Sequence, residues 1–256
     1  MLNFDNGEIS VVVDLAKGAR VSSIKWHGLE FALQVRPSLM DWGWYAMVPW
    51  AGRIRNGILK DSSNIGHILP TNWDPPHAEH GFGFFSPWLQ IDEGSCVLQM
   101  PAPYLSARAI QTFELQGNSF SWELRYEAND CDLPAWIGFH PWFRRDLGVG
   151  KAATLNFNAN EMLVRGADGI PTGELSRPKD QPWDDAFAGV ESPPFILWEG
   201  AAAITIDSVA PWWVVYTEDL EAICVEPQTA PPDASNLGIA GAHTLRATFT
   251  FSEGVK

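Results

Sequence analysis

Apolar and polar residues alternate with a period of two along most of this chain, as they do in strands with one buried face. The cleanest run is residues 120–126, where Phe120, Trp122, Leu124 and Tyr126 share one side and Ser121, Glu123 and Arg125 the other. Leu245, Ala247, Phe249 and Phe251 repeat the pattern near the C-terminus. Shorter β-compatible runs lie at residues 9–15, 21–26, 30–35, 88–92, 96–100, 108–115, 195–198, 202–206, 212–216 and 222–226, with two more between 152 and 164. Turn pairs such as Glu93-Gly94 and Gly117-Asn118 separate them. Asn56-Gly57 predicts a hairpin in which Arg53 and Arg55 share a strand face opposite Ile54. Residues 38–50 read as an irregular surface loop, 77–88 as a Gly- and aromatic-rich loop, and 165–189 as a polar connector. No segment has a long helical period, and no repeat or linker divides the chain. The expectation is one all-β domain over residues 1–256, a large antiparallel β-sandwich of two packed sheets.

Charge narrows the partners. Against 31 acidic residues stand 17 basic ones, a formal charge of -14. That field disfavours nucleic acid and anionic membranes, both of which need concentrated positive charge. The acidic N-terminus lacks the basic and apolar regions of a signal peptide, and no apolar run reaches membrane-spanning length. Three widely spaced cysteines, Cys96, Cys131 and Cys224, show no metal-ligand spacing and read as reduced thiols. A cytoplasmic protein is therefore expected. Composition adds one point: 13 tryptophans and 14 phenylalanines supply flat surfaces that line pockets as readily as they fill cores.

Candidate chemistry sits at two prolines. In W-I-G-F-H-P-W-F-R-R, residues 136–145, His140 precedes Pro141 at the expected end of an apolar strand. Imidazole is the side chain best suited to proton transfer near neutral pH. Glu226 likewise ends the apolar run 222–226 and precedes Pro227. A carboxylate there is costly unless solvated or used. Two strand ends, each with a titratable group, are the arrangement expected of a general acid and base. Arg53 and Arg55 add forked donors, His80 stands just before the flexible Gly81, and Asp184 and Asp185 lie in W-D-D-A-F, where they also suit a turn.

Taken in order, W-A-G-R-I-R-N-G, E-H-G-F, G-F-H-P-W-F and C-V-E-P-Q-T-A-P-P-D-A resemble the aldose 1-epimerase (galactose mutarotase-like) family. Each piece is weak alone; the ordered set, from Pro49 to Ala234, is specific. The resemblance implies a β-supersandwich that interconverts the α and β anomers of an aldose, a small-molecule sugar substrate, with no metal or organic cofactor. It places His140 as general acid and Glu226 as general base, several ångströms apart across one cleft. It also places His80, Arg53 and Asp184 on the sugar, and Trp142 where many members carry tyrosine. Trp42, Trp50 and Trp142 are candidates to stack on the sugar's apolar face. Two alternatives stand beside a free-sugar mutarotase. One is a mutarotase for an anionic sugar, with Arg55, Arg144 or Arg145 as clamp; the other is a sugar-binding protein without turnover. Oligomeric state is not legible.

Overall fold

Alternating runs become ladders because each strand buries one face and hands its backbone groups to its neighbours. The computed structural model describes residues 1–254. One sheet has eleven strands, ordered Leu2–Asp5, Ile9–Asp14, Arg20–Trp26, Trp44–Met47, Gly138–Arg144, Ala222–Gln228, Trp212–Tyr216, Asp184–Val190, Ala159–Arg165 and Pro171–Ser176, with Leu29–Glu30 beside Arg20–Trp26. The other has eight, ordered Leu89–Gln90, Ser95–Gln99, Arg108–Gln116, Ser119–Glu127, Thr244–Glu253, Ala202–Ser208, Phe195–Trp198 and Thr154–Asn156. Neighbours run antiparallel. This is the expected all-β antiparallel sandwich. No helix among the described residues is long and apolar enough to cross a membrane.

Aromatic rings fill the space between the sheets. Phe120, Trp122, Leu124 and Tyr126 are buried as their alternation predicts. Trp122 stacks on Phe139 at 4.0 Å between centroids, Trp44 meets Phe249 at 4.7 Å, and Phe31 meets Phe251 at 5.1 Å. Phe139 and Phe143 thus face the second sheet, which turns His140 and Trp142 to the other side of their strand.

Several sequence expectations need correction. The supposed loop 38–50 contains a fully buried strand, Trp44–Met47, in the middle of the large sheet. The connector 165–189 holds Pro171–Ser176 and most of Asp184–Val190. Of the run 30–35 only the first residue is in a strand, Leu29–Glu30. The hairpin at Asn56-Gly57 does not form: Arg53–Ile54 pairs with Ala78–Glu79, whereas Ile58–Lys60 pairs with Gly66–Ile68. A 3-10 turn over Arg55–Gly57, with Asn56 at φ 54°, ends the first strand before period two can apply to Arg55. Its backbone N–H is taken by the Asp233 carboxylate at 3.0 Å, and its side chain by Asp168. The two arginines therefore part company.

Candidate active site

His140 lies within Gly138–Arg144 rather than at a strand end, and Glu226 within Ala222–Gln228. Each proline removes one ladder donor, but the pairs Gly138↔Gln228 and Trp142↔Cys224 hold the two strands together on either side. That register sets His140 opposite Glu226. Side chains directly opposite in an antiparallel pair are nearest neighbours. The imidazole Nε2 stands 3.2 Å from Glu226 Oε1, and the Gln228 amide donates to the other carboxylate oxygen at 3.2 Å. The expected gap of several ångströms is absent. The close contact suits the reaction, because the two sugar oxygens that an acid and base would serve are bonded to the same carbon.

A cavity of about 400 Å³ opens above this pair. Tyr45, His80, His140, Trp142 and Glu226 line it, with Arg53, Asp74, Glu79, Arg165 and Asp184 among the other wall residues. His140 is sandwiched, its ring 4.7 Å from Tyr45 and 5.2 Å from Trp142, both near parallel. His80 meets it edge-on at 5.1 Å. The Gly52 backbone N–H donates to His80 Nδ1 at 3.2 Å, so the neutral ring carries its proton on Nε2 as a donor. His80 itself adopts φ 54°, and after Gly81 the N–H groups of Phe82 and Gly83 both donate to the Val48 carbonyl. This fold-back is what turns His80 inward.

Arg53 reaches three carboxylates: Asp74 at 2.6 Å, Glu79 at 3.4 Å and Asp184 at 3.7 Å. Arg165 also holds Asp184, at 3.1 Å. Asp185 is turned to Lys179 at 3.0 Å and its side chain is almost wholly buried, so Asp184 is the aspartate that meets the cavity arginines. Of the candidate stacking rings, only Trp142 is on the wall. Trp42 lies over the Arg20 guanidinium at 4.3 Å, and Trp50 packs on Phe82 and Tyr104. Trp73, 37% exposed, lines the cavity instead.

Burial dominates the electrostatics. Desolvation pulls the His140 imidazole down to about 3, with Arg20 and Arg53 adding repulsion. It pushes Glu226 well above the usual carboxylate range, helped by Asp184. Both shifts oppose charge on this buried pair and favour a neutral His140 with the proton on Glu226. Arg20 is wholly buried and, among the described residues, pairs with no carboxylate; its fork donates to the carbonyls of Lys17, Trp42 and Phe84. His140, Cys224 and Glu226 offer ligand atoms within 4.8 Å of one another. Burial keeps the Cys224 thiol protonated, its affinity for protons raised well above normal, so Cys224 is a poor thiolate donor.

A family model for aldose 1-epimerase matches residues 1–194, about three quarters of the chain. The chain belongs to the aldose 1-epimerase family. His140 lies inside the matched region and Glu226 beyond it. Three solved structures share the aldose epimerase fold across their length. They are a candidate aldose 1-epimerase from Escherichia coli K12 (TM-score 0.83, 17% identity, 98% of both chains), a galactose mutarotase-like protein from Clostridium acetobutylicum (0.78, 14%, 99% of this chain and 95% of that one) and an aldose epimerase homologue from C. elegans (0.77, 14%, 99% and 98%). No curated protein matches the chain.

Tyr45, Trp73, Asp74, Glu79, Arg165, Tyr216 and Gln228 are wall residues that sequence reasoning missed. Glu79 and Gln228 carried a signal, since one adjoins His80 in E-H-G-F and the other follows Glu226 in C-V-E-P-Q. Tyr45 and Arg165 lie in segments read as loop and connector, Tyr216 in a strand without a motif, and Trp73 and Asp74 in a stretch that carries no motif.

Proposed function

We propose that this aldose epimerase family member is an aldose 1-epimerase acting on a free sugar. The observation that carries the proposal is the His140–Glu226 contact of 3.2 Å at the floor of the cavity. Ring opening removes the C1 hydroxyl proton and protonates the ring oxygen as the C1–O bond breaks. Glu226 as carboxylate takes the first proton; His140 as imidazolium gives the second. The aldehyde turns about C1–C2, and the same groups in reversed roles close the ring. One proton on the pair suffices throughout. With the proton on Glu226 and His140 neutral, the arrangement that burial favours, the pair has the pattern needed for closure. For opening, that proton must sit on His140, where the π faces of Tyr45 and Trp142 stabilise the imidazolium. Arg53, His80 and Asp184 orient the hydroxyls, and Trp142 walls the sugar's apolar face.

A free sugar is favoured over an anionic one because both cavity arginines are engaged by carboxylates. Arg55, Arg144 and Arg145 are not on the cavity wall. The Arg145 guanidinium donates to the carbonyls of Thr217 and Asp219, a structural duty. Polarimetry of freshly dissolved α-anomers tests the activity. Converting both Arg144 and Arg145 to Ala is expected to leave the ratio of kcat/KM for a hexose and its 6-phosphate unchanged. A KM rise confined to the phosphate would restore the anion-clamp reading.

A further inference from the structure

We propose that Glu79 is a substrate-binding residue, accepting a hydrogen bond from a sugar hydroxyl on the wall between Arg53 and His80. This rests on the free-sugar reading above and assigns part of its specificity to a carboxyl outside the acid/base pair. The residue comes to the cavity through the short ladder Arg53–Ile54 with Ala78–Glu79, in which Arg53 and Glu79 are direct partners. Glu79 is 7% exposed, and that exposure opens on the cavity.

Its surroundings are unusual for a buried carboxyl. Arg53 Nη2 is 3.4 Å from Oε1 and His80 Nε2 is 3.5 Å away. Both are longer than a good charge-assisted hydrogen bond, and Arg53 spends its short contact on Asp74 at 2.6 Å. Among the described residues, none donates a hydrogen bond to the Glu79 carboxyl within ordinary length. The carboxyl is not sealed in, since neither of its oxygens is among the buried polar atoms that lack a partner; it lines the cavity and is open to a donor that enters there. The cavity admits a hydroxyl there, flanked by the Arg53 and His80 donors. A sugar hydroxyl is at once donor and acceptor, so it satisfies Glu79 and one of those neighbours together. Asp74, Asp184 and Asp41 add negative charge nearby, and desolvation raises Glu79 to about 7 against the pull of Arg53. Either protonation state can accept.

The test pairs the protein change with a substrate change. Wild type, Glu79→Gln and Glu79→Ala are assayed by polarimetry on one hexose and on its 2-, 3-, 4- and 6-deoxy forms, with affinity read in parallel by calorimetry. Glu79→Ala is expected to lower kcat/KM by about 10–100-fold on the parent hexose, mostly in KM, with Gln milder. On the one deoxy sugar that lacks the partner hydroxyl, Glu79→Ala is expected to cost less than about threefold, because the interaction is already gone. An equal loss on every sugar makes Glu79 a structural prop, and no loss on any makes it idle; either overturns the inference. Failure of the proposed activity looks different: wild type would then bind sugars without mutarotating any of them. In that case the same comparison of affinities still decides the role of Glu79.

Discussion

Glu226→Gln is expected to lower turnover by about 10²–10⁴-fold, the usual worth of a positioned base. The amide keeps the shape of the carboxylate and can still meet a hydroxyl, so sugar affinity should change by no more than a few-fold. His140→Asn should lose a similar factor through the acid. The split matters because a pocket can bind a sugar without turning it over; a Gln variant as fast as wild type moves the base elsewhere. The pH profile is a second reading of the pair. Adding a second proton requires charging His140, which burial holds at about 3, so activity should stay flat through mildly acidic pH. Removing the last proton ionises Glu226 with His140 neutral, and the raised affinity of Glu226 for protons defers that loss to higher pH than an ordinary carboxylate would allow. The expected curve is a bell with a wide top. An acid limb near the normal carboxylate range would show that Glu226 titrates as an exposed group.

Gly81→Ala is expected to be the most damaging single methyl in the site. A Cβ there would stand 2.2 Å from the Val48 carbonyl oxygen, and Gly81 has φ +69°. A left-handed conformation costs a residue with a side chain about 1–2 kcal/mol. Relieving the clash would also pull Val48 from the N–H groups of Phe82 and Gly83, each bond worth about 1 kcal/mol. The total of about 3–4 kcal/mol corresponds to a Tm lower by roughly 6–16 °C in a chain of this size. Sugar affinity should fall as well, since His80 is the adjoining residue. Gly117→Ala is the control. It has φ +55° but nothing within 4 Å, so only the conformational cost of about 1–2 kcal/mol remains. Equal melting temperatures for the two variants would refute the close-approach argument.

The contrast between these elements explains what the sequence makes legible. Residues 120–126 alternate because one face meets the other sheet and the opposite face meets water. Trp44–Met47 does not alternate, since all four residues are buried on both sides, and it passes for a loop. Ala222–Gln228 is buried along its whole length, and Pro227 makes its strand look finished at Glu226. The same illusion ends the other strand at His140. The catalytic candidates are thus found through chemistry and motif rather than through periodicity. Asp74 and Arg165 stay hidden because turn residues and a connector carry them, and only the folded chain brings them to Arg53 and Asp184.

The floor and the rim of this cavity are made of different material. His140 and Glu226 are carried by adjoining strands in the interior of an eleven-stranded sheet. Trp73 and Asp74 come from turns outside both large sheets, and Gly169 from the turn before Pro171–Ser176. Chemistry and recognition can consequently diverge at separate rates. Segments grafted at the rim can retarget the protein to another sugar without touching the reacting pair, whereas a change in the pairing of the two floor strands would abolish turnover whatever the ligand.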